Sequence, residues 1–305
     1  MRIHIACTID EGYVEPLRGM LSSFFIHHHG IPVSIHVLTG SISAGSQSAI
    51  EQFIRERGAD YHHYTIPSNR FEEFSLHYAH FSKANFYRLL IPDLITTTER
   101  ILYLDVDVLV RHSLSPLYST DLRGFPIAAA PDAVPPLECK RLGIPEHLSY
   151  FNSGVMVMDL PFWRRDHIAE QALNYLLEHN GNPDRCRYVD QDGLNVILQG
   201  QWLPLSETWN FNIFHGLKTT RTLTPAQRSH LESGPAIVHF ANNKKPWKRE
   251  FVLPFQQEFL VNARRNGIRY KRPLSFKNFK IWFKETRKLR KQKSSYHLAG
   301  IPWRA

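Results

Sequence analysis

From Ile3 to Val110 the chain alternates short apolar runs with longer stretches of helical periodicity. No other feature limits the fold more. Ile3 to Cys7, Val33 to Leu38 and Tyr61 to Thr65 read as strands. Val14 to His28 (closing at Gly30), Ser43 to Arg57 and Asn85 to Leu94 read as helices. Repeated strand–helix–strand units predict an α/β protein, a mostly parallel sheet with helices on both faces. Ligands of such sheets bind outside the carboxyl ends of the strands. The second half is less regular. Pro and Gly crowd the stretch from Gly124 to Pro145, which reads as loops. Gly154 to Asp159 and Pro235 to Phe240 read as strands, Trp163 to Glu178 as a helix and Gly193 to Leu198 as the core of a short one.

The run YLDVDVLV, residues 103–110, sets two carboxylates in apolar surroundings. Read as one buried strand, it carries Asp105 and Asp107 on the same side, because residues two apart share a face. Unpartnered buried charge is costly, so the pair calls for a cation. Two carboxylates with room for phosphate oxygens suit Mg²⁺ or Mn²⁺. The plainer reading is a strand end where both acids meet solvent or cap a turn. Two enzyme classes use such a strand end. In haloacid-dehalogenase-like phosphotransferases Asp105 is a nucleophile and Asp107 a general acid/base. However, that motif normally ends the first strand, and no downstream acidic pair is evident. Metal-dependent nucleotide-sugar transferases place their D-x-D after a nucleotide-binding sheet of about this length.

Composition sets limits. The chain is 43% hydrophobic and 21% charged, as globular proteins are. The opening MRIHIACTIDEG has no uninterrupted apolar stretch, and no segment approaches the ~18 apolar residues of a bilayer span. Cys7, Cys139 and Cys186 are widely spaced and odd in number, which suits free thiols in a reducing compartment. A cytoplasmic protein, peripheral on the cytosolic face of a membrane, is expected. Of the net charge of +9, the stretch from Arg264 to Lys293 supplies +12 (13 Lys/Arg against Glu285), so the remainder is −3. That stretch also spaces Phe276, Phe279, Phe283 and Leu289 near-helically beside Trp282. A basic amphipathic helix that docks on an anionic membrane surface is expected there, and no nucleic-acid module is apparent. Two domains follow: 1–262, catalytic, and 263–305, a basic tail. The run FFIHHHG (24–30) cannot form one compact metal site, because consecutive helical residues diverge. A helix C-terminus explains it.

Six motifs resemble those of the family 8 glycosyltransferases, over the span from Ile3 to about Trp247. They are ACTIDEGYVEPL (6–17), HFSKANFYRLL (80–90), YLDVDVLV, FNSGVMVMD (151–159), YVDQDGLN (188–195) and VHFANNKKPW (238–247). The resemblance implies a GT-A (Rossmann-like) fold. It implies donor contacts from Thr8, Asp10, Lys83, Arg88, Asp105, Val106, Asn152, Asp190 and Lys245. Its metal ligands are Asp105, Asp107 and His239. Gln191, beneath the anomeric carbon, and Asp190 are its catalytic residues. Asp192 reads as a helix N-cap, and His80 as facing the acceptor. Gly12, Phe86 and Asn242 stand where the family commonly has Asn, Tyr and Gly.

The implied reaction moves galactose or glucose from a UDP-sugar to a saccharide or glycolipid hydroxyl, with Mn²⁺ (or Mg²⁺) and with retention, in lipopolysaccharide or other surface-glycan synthesis. The alternatives are the phosphotransferase above and an inactive member that only binds nucleotide or membrane.

Overall fold

The structure, a computed structural model, describes residues 1–76, 82–132, 136–213, 234–248, 250–251, 253–270 and 280–284, with side chains left out at 136–138. Among them ten strands are numbered along the chain: β1 Ile3–Ile9, β2 Val33–Thr39, β3 Asp60–Thr65, β4 Arg100–Leu104, β5 Val108–Val110, β6 Ile127–Pro131, β7 Phe151–Asp159, β8 Leu203–Pro204, β9 Phe211–Asn212 and β10 Ile237–His239. The chain forms two compact units.

The first unit takes in Met1–Val14, Gly30–Val106 and Ser115–Ser206. Its sheet has seven strands in the order β3-β2-β1-β4-β7-β6-β8. β1 pairs in parallel with β2 and β4, β2 with β3, and β6 with β8, while β7 runs antiparallel to β4 and β6. This is the mostly parallel α/β sheet that the alternation predicts. β2 (VSIHVLT) is buried at every position, as an interior strand must be, whereas β3 at the edge is half-buried and polar. The helix Ala44–Arg55 starts where Ser43 Oγ accepts from Ser46 N at 3.1 Å, and it buries Ile50, Phe53 and Ile54. Gly58, at φ +71°, closes it in a conformation that side-chain-bearing residues resist. The core runs from Ala6 and Leu38 through Phe86, Tyr103, Met156 and Trp163 to Leu194.

Four expectations come out differently here. The stretch from Gly124 to Pro145, read as loops, holds β6 and the helix Pro136–Leu142, because its apolar run 127–130 is buried in the sheet. Asn85 to Leu94 is not one helix but three short turns, Ala84–Tyr87, Arg88–Leu90 and Ile91–Leu94. Pro92 has no N–H to give the carbonyl of Arg88. Trp163 to Glu178 divides into Leu160–Arg165 and Ile168–Glu178, with His167 left-handed at φ 51° between them. Most consequential, residues 103–110 are not one strand. β4 ends at Leu104, Asp105 N makes a last ladder bond to Gly154 O at 2.8 Å, and β5 belongs to another sheet. Asp105 meets Arg88 in the first unit and Asp107 meets Lys245 in the second, so the two acids do not lie on the shared face of a single strand.

The second unit takes in Glu15–His29, Asp107–Leu114 and the chain from Glu207 onward. Its sheet is β5-β10-β9, with β10 antiparallel to β5 and parallel to β9. Leu109, Val238, Phe240 and Phe259 form its core. The helix Gln256–Arg265 buries Phe259, Leu260 and Ala263, so the boundary expected at 262 falls inside a packed helix. Ile268 is also buried, and Tyr270 stacks on Phe259 and Trp247. The helix Val14–Ile26 stops just before the three histidines. There His28 Nδ1–H donates to Phe24 O at 2.7 Å, and Nε2 accepts from Leu114 N at 2.8 Å. Most of the basic tail lies outside the described residues, Phe276, Phe279 and Leu289 included. Trp282 and Phe283, which are described, are 40% and 52% exposed.

Candidate active site

In the first unit β1, β4 and β6 run the same way, so Asp10, Asp105 and Asp132 all follow carboxyl ends on one edge of the sheet. β7 is antiparallel and begins there, bringing Phe151 and Asn152. The helix Asp190–Ile197 starts beside it, with Asn195 Oδ1 accepting from Phe151 N at 2.8 Å. One hydrogen-bonded network centres on Arg88, which is 3% exposed. Its Nη2 donates to Asp105 Oδ1 at 3.0 Å, and its Nε faces Asp190 Oδ2 at 3.1 Å. Nη1 donates to Ser153 O at 2.9 Å and to Ser153 Oγ at 3.0 Å. Tyr103 lies beneath the guanidinium and donates its hydroxyl proton to Asp105 at 2.7 Å, while Thr8 Oγ1 touches that hydroxyl at 3.0 Å. Burial pushes the Asp190 carboxyl up to about 6, Arg88 pulling it down and Asp105 adding to the rise. Arg88 therefore holds two carboxylates in place, one of them the first acid of the D-x-D run.

A second network lies alongside. Asp132 Oδ2 accepts from Asn152 Nδ2 at 2.9 Å and from Gln191 Nε2 at 3.2 Å. Gln191 Oε1 accepts from Ser153 N at 3.0 Å, and Asn152 Oδ1 from Gly154 N at 3.0 Å. A backbone N–H can only donate and a carboxylate can only accept, so both amide orientations are determined. Asp192 does not N-cap its helix. It lies at the third helical position and accepts at Oδ2 from Tyr188 N at 2.9 Å, ahead of the N-cap Val189. Its charge is met by Arg141, whose Nη2 lies 2.9 Å from each oxygen.

Other expected residues lie apart from these networks. Asp10 caps the short helix Glu11–Tyr13, accepting from Gly12 N at 2.9 Å. Lys83 donates to the carbonyls of Phe71 and Phe74, and so fastens that turn instead of joining Arg88. Val106 is buried, and His80 lies outside the described residues.

In the second unit β10 delivers His239 and β5 begins just after Asp107. Phe240 N donates to Asp107 O at 3.0 Å, which fixes the register. Lys245 Nζ donates to Asp107 Oδ2, and to Phe240 O at 3.1 Å. His239 Nδ1 lies 2.8 Å from Asn210 Oδ1, and Nε2 lies 3.2 Å from Asp107 Oδ1. Burial alone raises a carboxyl's pKa, but Lys245 and His239 outweigh it and hold Asp107 well below the usual range. The imidazole thus stands between the Asn210 amide and the Asp107 carboxylate. An imidazole and a carboxylate are donors that Mn²⁺ or Zn²⁺ accepts, and the outer bond to Asn210 is the support a metal-binding histidine ordinarily has. The residues fit a divalent ion. Asn242, where the family has Gly, turns its side chain to the backbone N–H of Asn243 at 2.6 Å.

Asp132, Tyr103, Tyr150, Arg141 and Asn210 were not found from the sequence. Asp132 had a signal, since it follows an apolar strand of the parallel set as Asp105 does. The others had none.

The profile of glycosyl transferase family 8 matches residues 4–250, and the chain belongs to that family. Its curated relatives include General stress protein A of Bacillus subtilis, 33% identical over 84% of this chain and 91% of that one. They also include the lipopolysaccharide 1,2-glucosyltransferase of Escherichia coli, 27% identical over 83% of this chain and 75% of that one. A crystal structure of the galactosyltransferase LgtC, bound to donor and acceptor sugar analogs, superposes with a TM-score of 0.75 at 27% identity, covering 87% of this chain and 96% of that one. The protein is a glycosyltransferase of the GT-A type. The phosphotransferase reading is set aside. The family match spans nearly the whole chain, and Asp105 is tied down by Arg88 and Tyr103 where a nucleophile would have to be free.

Proposed function

We propose that the protein transfers a hexose from a UDP-sugar to a saccharide hydroxyl, with retention of anomeric configuration and with a divalent ion, Mn²⁺ first, held by Asp105, Asp107 and His239. The observation that carries this is His239 Nε2 set 3.2 Å from Asp107 Oδ1, in a chain whose family is established. The ion, when bound, neutralises charge on the departing diphosphate.

The chain's own residues do the rest. Lys245 supplies a fixed positive charge for the diphosphate at the loop after β10. Thr8 and Asp10, at the end of β1, face the nucleoside. Asn152 and Asp190 receive sugar hydroxyls, and Arg88 keeps Asp190 ionised and oriented. Gln191 takes the place that a carboxylate nucleophile occupies in retaining hydrolases. An amide is a poor nucleophile. A front-face displacement is therefore favoured: the bond from C1 to the phosphate oxygen breaks, the bond from C1 to the acceptor oxygen forms on the same face, and the acceptor's proton passes to the departing phosphate. Relatives named as lipopolysaccharide glucosyl- and galactosyltransferases support a cell-surface glycan as acceptor, with glucose or galactose as the hexose.

The test is transfer from UDP-glucose and UDP-galactose to oligosaccharide acceptors, with the product's anomeric proton read by NMR. Asp105→Asn and Asp107→Asn are expected to abolish transfer, and Gln191→Ala to leave a small residue of it. An inverted product, or full activity in Asp107→Asn, contradicts the reading. Nucleotide binding without turnover in any acceptor would identify an inactive member.

A further inference from the structure

The proposed reaction leans on Gln191, and the structure shows what holds Gln191 still. Its amide is bonded on every side that can be pinned. Oε1 accepts from Ser153 N. One N–H goes to Asp132 and the other to the hydroxyl of Tyr150, at 3.1 Å. That hydroxyl has one proton, which goes to Asp192 Oδ1 at 2.8 Å. A carboxylate can only accept, so the proton's direction is fixed and the phenolic oxygen is left as an acceptor toward Gln191. Asp192, fully buried, is itself locked by Arg141 and by Tyr188 N. The order is one-way: Arg141 fixes Asp192, Asp192 fixes the Tyr150 proton, and Tyr150 oxygen fixes Gln191. Tyr150 spans from this network into a small apolar cluster of Cys139, Leu142 and Ile144, where its ring is 2% exposed.

We infer that Tyr150 is a positioning residue for Gln191. Without its oxygen, one amide N–H loses its partner and the side chain gains room to rotate. With it, both N–H groups face electron-rich oxygens, which draws electron density onto Oε1. Oε1 keeps one lone pair unengaged among the described residues. An oxygen so held suits a sugar carbon that turns cationic as the leaving group departs. The chain of bonds also gives Asp192 a role: it sets the direction of a proton and does not attack the sugar. This inference rests on the catalytic reading of Gln191 given above.

The test is a double-mutant cycle on the full-length protein, pairing Tyr150→Phe with Gln191→Ala. Phe keeps the buried ring and removes only the oxygen. Tyr150→Phe is expected to lower kcat by about tenfold while KM for the nucleotide sugar stays within about twofold, as for a misplaced group that acts only in the transition state. In the Gln191→Ala background the same change is expected to cost nothing further. An equal loss of kcat in both backgrounds, or no loss in either, overturns the inference. Side-chain amide resonances of Gln191, assigned with Gln191→Ala, read the positioning without turnover. They are expected to shift in Tyr150→Phe, and unchanged resonances overturn the inference. Full activity of Gln191→Ala would instead remove the catalytic reading, and a shifted amide resonance would then leave the positioning itself intact. Should Tyr150→Phe not fold, 3-fluorotyrosine at position 150 keeps the hydroxyl while weakening its oxygen as an acceptor. A kcat reduced by about two- to threefold is then expected, and an unchanged kcat overturns the inference.

Discussion

Arg88 shows how much one side chain determines. A guanidinium is the one group that can meet Asp105, Asp190 and Ser153 together from a rigid plane. Replacing it with Met leaves two carboxylates near the sheet edge without their cation, and breaking a buried pair in this way costs about 3–5 kcal/mol. Arg88→Met is therefore expected to lower Tm by many degrees in a thermal melt, with activity lost as well. A melt within a degree of wild type would show that the pair contributes little. Arg88, Asp105 and Asp190 were legible in the sequence because each stands in a recognisable motif. The partners that Arg88 selects were not: a cation beside a diphosphate and a cation between two carboxylates have the same sequence. Asp132 and Tyr150 were missed for a related reason. They lie 59 and 41 residues from Gln191 along the chain, and only the tertiary fold brings them to it.

At the level of elements, β1, β2 and β3 carry His4, His36 and His62 side by side. His36 is fully buried, stacks on His62 with ring centroids 4.6 Å apart, and bridges His4 Nδ1 and Tyr64 Oη at 3.1 Å each. Burial first, then His62 and His4, pushes its pKa down to about 3. Between that value and the ~6.5 of a free imidazole, the unfolded chain binds the proton and the fold does not. Stability is therefore complete above about 6.5 and falls with pH toward about 3, by up to ~1.4 kcal/mol per pH unit from this residue. Melts between pH 7 and pH 4 should show that slope, and His36→Asn should flatten it. An unchanged slope in the variant would put the titration elsewhere. Packing of the second unit offers another test. A Cβ on Gly19 would lie 1.9 Å from Tyr270 Oη and 3.1 Å from Phe259. Overpacking of that kind costs about 1–3 kcal/mol, more than the ~0.5–1 that Ala adds to a helix. Gly19→Ala should lower Tm, and Tyr270→Phe should restore part of it. A stabilised Gly19→Ala would show that Tyr270 moves aside freely. The apolar alternation made five of the seven strands of the first sheet readable and missed β6, which lies among Pro and Gly, and the two-residue β8. It also failed at Pro92 and at the turn through Asp105, because hydrophobic period alone does not distinguish one buried strand from two that belong to different sheets.

Over the whole molecule, charge is the feature that the fold leaves for later use. The stretch from Arg264 to Lys293 carries +12, against −3 for the rest of the chain. No helix among the described residues is long and apolar enough to cross a membrane. We keep the basic stretch as a proposed attachment to an anionic surface, on its composition and on the exposure of Trp282 and Phe283. Truncation after Tyr270 spares the packed helix and its stacking partner. It should release the protein from vesicles containing phosphatidylglycerol while leaving sugar transfer to a soluble acceptor intact. Equal vesicle binding by the truncated chain would end that proposal. The most direct test of the account lies at the donor, where the carboxylates, the histidine and the lysine are all assigned to one nucleotide. UDP released from a panel of UDP-hexoses should appear with Mn²⁺, disappear with EDTA and return when Mn²⁺ is restored, and Asp107→Asn should show none under any of these conditions. UDP released at an undiminished rate under EDTA, and by Asp107→Asn as well, would contradict it.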